Sequence, residues 1–375
     1  MTDPSPAAQL LAAPPADADL LVRAPGRANL IGEYTDVNEG WVLPVALELA
    51  TVMAGRTGGS TLRLRSLDLP DEGTVEIDLA TGRGPSQGWG RYATAVVEVL
   101  REQGRAVRGF DGVLASDVPI GAGLSSSAAL EVAVALAVLD EPVDPLALAQ
   151  LCQRAENEGV GVHSGLMDQL ASTGSRAGTA LLLDCRELTT DHVPLPEGLG
   201  LLVVDSAISR DLSSSAYNER RAQCDQAAAD LGVGSLRDAT LEALEERWSS
   251  MDDVVRRRAR HVLNENDRVL QLADALRSGD RGPLGGLLAA SHQSLVEDFE
   301  VSTPDLDQLV ASAVATPGVV GSRMTGAGFG GCTVSLVEVD GAEQVRDEVC
   351  RRYAEASGRR PRAWVSTAAD GASVL

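Results

Sequence analysis

The chain has 375 residues, 44% of them hydrophobic, and its 54 acidic and 32 basic side chains leave a formal net charge of −22. That balance repels nucleic acid and anionic membranes. Every basic residue is arginine, which excludes a P-loop lysine, a protein-kinase strand lysine and a pyridoxal Schiff base.

No apolar run reaches bilayer length, and five widely spaced cysteines show no zinc-like pattern, so a cytoplasmic protein of two domains with reduced thiols is expected. Residues 1–19, rich in Ala, Pro and Asp, read as a loose leader without the basic start and apolar core of a signal peptide. Residues 20–22 predict a strand that Arg23-Ala-Pro-Gly-Arg27 breaks, and 41–47 predict a second strand. The turn-rich segment between them carries Arg27, Glu33, Asp36 and Asn38. Carboxylates in such a segment are either solvated loop acids or acceptors for the hydroxyls of a polar substrate. Residues 61–67 and 74–79 alternate as a hairpin. Ala93, Val96, Val97 and Leu100 then recur at helical spacing as far as Gly104. Ahead of them, Trp89 and Tyr92 pack that helix onto a sheet, with a wall of an adenine pocket as the alternative for Trp89.

Residues 110–115 predict a strand that delivers the chain to Pro119-Ile-Gly-Ala-Gly-Leu-Ser-Ser-Ser-Ala-Ala-Leu130. Gly121 and Gly123 let the backbone turn, and a helix apolar on every side follows over 128–139. Backbone N–H groups of such a loop converge with the positive end of the helix dipole into a phosphate cradle, and Ser125, Ser126 and Ser127 add hydroxyls and a candidate magnesium ligand. A tight turn before an ordinary serine-capped helix is the other reading. Residues 145–157 predict the next helix, with Glu156 near its end, and Asp168 follows within Gly165-Leu-Met-Asp-Gln169. A strand over 180–184 closes this half. The second half opens with a strand at 200–205 and is then helical over 217–231, 240–248, 252–276, 283–299 and from Ser302-Thr-Pro-Asp305 onward. A glycine-rich hairpin over 321–332 leads into an alternating strand at 333–339.

Three stretches together resemble the signature motifs of the GHMP kinase superfamily. Arg27-Ala-Asn-Leu-Ile-Gly-Glu-Tyr-Thr-Asp-Val-Asn-Glu-Gly-Trp-Val-Leu-Pro44 is similar to the signature of its galactokinase family, the 119–130 run to the shared phosphate loop, and 323–332 to the third motif. Order and spacing agree as well, and 152–156, 165–169, 217–224, 258–265 and 291–307 extend the likeness over nearly the whole chain after the leader. The resemblance implies an α+β, two-domain GHMP kinase fold. Its N-terminal domain, 20–190, would be ribosomal-protein-S5-like and its C-terminal domain, 191–375, ferredoxin-like, with the last strand packing back on the first domain and the active site between the two. It implies a monomer that uses ATP and Mg2+ to phosphorylate galactose at the anomeric hydroxyl, giving galactose 1-phosphate and ADP, with the sugar and ATP as its partners.

Residue by residue, the resemblance implies that Asp168 takes the proton of the anomeric hydroxyl, or stabilises its loss, and that Arg27 pairs with it and offsets charge on the transferring phosphoryl group. Ser127 and Glu156 would hold magnesium. Gly121, Ala122, Gly123, Leu124, Ser125, Ser126 and Ser127 would surround the phosphates, and Glu33, Tyr34, Asp36, Gly165, Asp168 and Tyr217 would take the sugar. Where the family has His-Thr-Asp-Tyr, this chain has Tyr34-Thr35-Asp36-Val37. Tyr34 either replaces the histidine's contact with the sugar's outer hydroxyl or reshapes the pocket, and Val37 removes a phenol, so a roomier pocket is expected. Another sugar 1-kinase of the superfamily, for N-acetylgalactosamine, arabinose or a uronic acid, is the enzymatic alternative. A catalytically silent sugar sensor is the alternative from another class, and the full 125–129 run with Asp168 counts against it. Asp211, where a histidine is common, carries no reading.

Overall fold

A computed structural model describes residues 4–162, 164–208 and 213–375; Asp211 lies outside the described residues. In chain order the first half contains α1 (Pro6–Ala12), β1 (Leu20–Asn29), β2 (Trp41–Val42), β3 (Pro44–Thr57), β4 (Thr61–Ser66), β5 (Thr74–Asp78), α2 (Gly90–Glu102), β6 (Phe110–Ser116), α3 (Ser126–Val138), α4 (Pro145–Ala155), α5 (Met167–Gly174), β7 (Thr179–Asp184) and β8 (Thr189–Pro194). The second half contains β9 (Leu199–Asp205), α6 (Ser213–Leu231), α7 (Leu241–Arg247), α8 (Asp253–Ser278), α9 (Leu284–Glu297), α10 (Pro304–Val314), β10 (Val319–Met324), β11 (Cys332–Glu338), α11 (Ala342–Ser357), β12 (Arg362–Ser366) and β13 (Ser373–Val374).

A six-stranded sheet in the order β13-β1-β3-β6-β4-β5 carries the first half, and a short sheet β2-β7-β8 lies beside it. The alternation in β4 and β5 buries Leu62, Leu64, Val75 and Ile77 on one face, as the hairpin pattern requires. α3 packs on β1 and β3 with Ala128, Ala129, Val132, Ala133, Val134 and Ala135 all buried, which fits its lack of a polar face. In the second half the sheet runs β10-β11-β9-β12. One of its faces packs Leu202 and Val204 against α10 and α11, and the other presents Leu201 and Val203 to Val269, Leu272 and Leu288. That second cluster also contains Leu30, Leu43, Val45, Leu47 and Leu124, so a single apolar core joins the two halves.

The strand expected to stop at Val22 continues to Asn29. Pro25 sits where the register with β3 shifts, between Pro25 and Arg27, and a bulge tolerates the missing N–H. The leader is not loose throughout: Ser5 caps α1, and Ala7 and Leu10 are buried against Val52, Ala54 and Ala115. β13 lies antiparallel to β1, with Val374 opposite Val22, and β8 spans the point at which the halves were divided. Among the described residues no helix is long and apolar enough to cross a membrane.

Candidate active site

β6 ends at Ser116 and the chain turns through Gly121 (φ 73°) and Gly123 (φ 84°) into α3. The loop is fastened to the bulge of β1. Arg27 N–H donates to the Leu124 carbonyl at 3.1 Å, and a Cβ on Gly26 would stand 2.6 Å from that same oxygen. Ser125 holds a left-handed conformation (φ 59°), a strained choice for a residue with a side chain. It does not cap α3 through its hydroxyl. That hydroxyl donates instead to Asp168 Oδ2 at 2.6 Å, so the strain serves to aim it across the cleft. Ser127 Oγ donates to Glu156 Oε1 at 2.8 Å, at a π turn (Glu156–Val160) that ends α4. Ser164 Oγ and Gln169 Nε2 donate to the other Glu156 oxygen at 2.7 and 3.0 Å.

Arg27 and Asp168 occupy the middle. Arg27 Nε and Nη2 both donate to Asp168 Oδ1, at 2.9 and 2.6 Å, and Nη1 donates to the Gly123 carbonyl at 2.6 Å. The arginine side chain is 5% exposed and the aspartate 25%, so the carboxylate is held from behind and open in front.

Beyond them is an acidic end. The Glu33 carboxylate accepts from Thr325 Oγ1 at 3.2 Å and Gly326 N–H at 3.0 Å, and pairs with the guanidinium of Arg323. Burial raises the Glu33 pKa while Arg323 opposes the rise. Asp36 follows on a 3-10 turn, and its pKa is pushed up to about 6, by burial first and then by the negative charge of Asp168. An added Cβ on Gly165 would stand 2.1 Å from Asp36 Oδ2, so only glycine lets that carboxylate lie where it does. Tyr34 (φ 66°) stacks on Tyr217 with ring centroids 5.1 Å apart and donates its hydroxyl to the Ala327 carbonyl at 2.7 Å. Burial, and then the charge of Asp36, pushes the Tyr217 phenol well above its usual range, which keeps it a neutral donor.

These groups face one cleft of about 800 Å3. Arg27, Glu33, Tyr34, Asp36, Gly121, Ala122, Gly123, Ser125, Ser126, Ser127, Glu156, Gly165, Asp168 and Tyr217 all line it. Leu124 lies buried beneath the loop, as its apolar side chain dictates. Trp89 is not among the lining residues: it packs against the core under α2, and Tyr92, one helical turn on, reaches the cleft instead. Val37 is not among the residues that line the cleft. Sequence reasoning missed Ile120, Val162, Asp205 and Arg362, which also line the cleft. An isoleucine 74% exposed next to a glycine loop is a signal only once burial is known. Among the described residues no group of three or more His, Cys, Asp or Glu could itself hold a metal ion. Ser127 and Glu156 offer two hard oxygens, which suits magnesium, an ion that takes few protein ligands and fills its shell with phosphate and water.

Three family descriptions match the sequence: "Galactokinase galactose-binding signature" over 13–57, "GHMP kinases N terminal domain" over 91–176 and "GHMP kinases C terminal" over 272–355. A galactokinase of Roseiflexus sp. (strain RS-1) is 47% identical, covering 94% of this chain and 92% of its own length. The chain belongs to the galactokinase family of the GHMP kinases. The human galactokinase is 45% identical over 96% of this chain and 93% of its own. The crystal structure of Lactococcus lactis galactokinase complexed with galactose superposes with a TM-score of 0.89 at 34% identity, covering 95% of both chains. A mevalonate kinase, 18% identical with a TM-score of 0.66 over 93% of this chain and 99% of its own, shares the fold. The α+β, two-domain GHMP kinase architecture expected from the motifs is thus the one observed.

Proposed function

We propose that the protein transfers the γ-phosphoryl group of ATP to the anomeric hydroxyl of galactose, giving galactose 1-phosphate and ADP. The observation that carries this reading is Asp168, pinned by Arg27 and Ser125 at the join of the glycine–serine loop and the acidic end, with its carboxylate open to the cleft. The anomeric oxygen attacks the γ-phosphorus while its proton passes to Asp168, and the bond from the γ-phosphorus to the β,γ-bridging oxygen of ATP breaks to release ADP. Arg27 holds the aspartate in place and offers positive charge next to the transferring group. The loop over 121–127 receives the phosphates on backbone dipoles and hydroxyls, the means left to a chain without lysine. Glu33, Asp36, Gly165 and Tyr217 receive the sugar hydroxyls, and Tyr34 closes that end by joining the first motif to the third at Ala327. Ser127 and Glu156 would hold magnesium, which, when bound, neutralises phosphate charge.

We place the enzyme in the cytoplasm as a monomer that engages neither membrane nor nucleic acid. Cys152, Cys185, Cys224 and Cys350 are free thiols, and the net charge is strongly negative. A coupled ADP-release assay with galactose, N-acetylgalactosamine, arabinose, glucose and mannose tests the substrate. Galactose should give the highest kcat/KM. A higher value for another sugar would reassign the substrate, and no ADP with any sugar would make the protein a binder instead of an enzyme.

A further inference from the structure

Glu33 belongs to the first half by sequence, yet its carboxylate is held by the second. Gly326 N–H and Thr325 Oγ1 take one oxygen, and the other faces the guanidinium of Arg323 on β10. Arg323 is fully buried. Its Nη1 donates to the carbonyls of Asn29 and Leu30 at 3.3 and 3.2 Å, which fixes the plane of the fork. Its Nη2 lies between Glu33 and Glu265, 3.6 Å from Glu265 Oε1. Glu265 is itself immobilised, accepting from Gly32 N–H at 3.0 Å, Ser291 Oγ at 2.6 Å and Arg268 Nε at 2.7 Å. Two carboxylates and two guanidinium groups therefore balance in a nearly dry cluster directly behind one wall of the cleft. A lysine would balance the charge as well. The carbonyls meet Nη1 and the carboxylates face Nη2, and a single ammonium nitrogen cannot stand at both places.

We propose that Arg323 is a positioning residue for the sugar, acting through the carboxylate of Glu33, so that the second domain sets where the sugar hydroxyls are received. This rests on the galactose-kinase reading above. Arg323 is not among the residues that line the cleft, whereas Glu33 is, and Glu33 is its route to the sugar.

The test combines steady-state KM values for galactose and ATP with calorimetric galactose affinity for Arg323→Lys, Glu33→Gln and the two together. ADP release by the unsubstituted enzyme with galactose is read first: its absence overturns the kinase reading, whereas the variants address positioning alone. Arg323→Lys should raise the galactose KM and Kd about tenfold, within the range of coupling between contacting buried groups, and move the ATP KM by less than about twofold. The double variant should bind galactose as Glu33→Gln does. Equal losses for ATP and galactose, unchanged galactose affinity in Arg323→Lys, or additive losses in the double variant would each overturn the proposal. If Arg323→Lys yields no folded protein, Arg323→Met combined with Glu33→Gln leaves no unpaired buried charge and takes its place. Galactose affinity equal to that of Glu33→Gln then supports positioning, and a further loss overturns it.

Discussion

At the glycine–serine end of the cleft one run, 120–127, provides most of the lining, and its polar anchors, Arg27, Glu156 and Asp168, all lie in the first domain. At the acidic end the lining comes from a turn of the first domain, the start of α5, the start of α6 and the hairpin of the second domain, joined by buried charges. Backbone dipoles suit a ligand part that every kinase of this kind shares. Side chains recruited from distant segments suit the part that distinguishes one substrate from another. The difference predicts that the two ends can be damaged separately, and that damage at Asp168, where they meet, stops the transfer itself.

The largest effect is expected at that meeting point. Asp168→Asn should lower kcat by a factor of about 10²–10⁴ while affinity for a non-hydrolysable ATP analogue stays near its original value. Turnover close to that of the unsubstituted protein would remove Asp168 from the chemistry. A pair of glycine substitutions then separates the ends. Gly26→Ala drives a Cβ to 2.6 Å from the Leu124 carbonyl and should raise the ATP KM about tenfold or more, whereas Gly165→Ala drives one to 2.1 Å from Asp36 and should do the same to the galactose KM. If each variant changes both constants alike, the two ends are not independent.

Proton uptake at Asp36 sharpens the contrast. With its pKa pushed up to about 6, the carboxylate loses charge as pH falls through 6, so the galactose KM should rise several-fold between pH 7 and pH 5. The ATP KM should lack that step, and Asp36→Asn should abolish it. The same shift has a stability sign. The folded chain keeps this proton up to about pH 6 while the unfolded chain releases it near 4, so stability from this group falls as pH rises from about 4 to about 6 and is level above that. The smallest expected effect is at Tyr34. Tyr34→Phe removes the hydrogen bond to Ala327 and should cost about 1 kcal/mol of stability, read by urea unfolding, with little effect on the ATP KM.

The same division explains what could be read from the sequence. The loop over 121–127 and the buried helix after it are local, so glycine spacing and an all-apolar window suffice to find them. The carboxylates at 33 and 36 are visible as residue types. Their environment is not, because Gly326, which fixes Glu33, is 293 positions away and Arg323 gives no sign in the sequence that it is fully buried. β13 escapes periodicity because it is two residues long and exists only through pairing with β1. α11 did carry a signal, Val345, Val349 and Tyr353 at four-residue spacing on the buried side, amid a surface of Arg and Glu. Trp89 and Tyr92 differ only in which side of one helical turn faces the cleft, a matter that tertiary packing decides.

The most direct test of the whole assignment is to identify the product. Incubated with ATP, magnesium and galactose, the protein should form one sugar phosphate whose phosphorus couples, in a proton–phosphorus correlation NMR spectrum, to the anomeric proton. A phosphorus coupled to any other sugar proton, or ATP consumed with only inorganic phosphate formed, would contradict transfer to the anomeric hydroxyl next to Asp168.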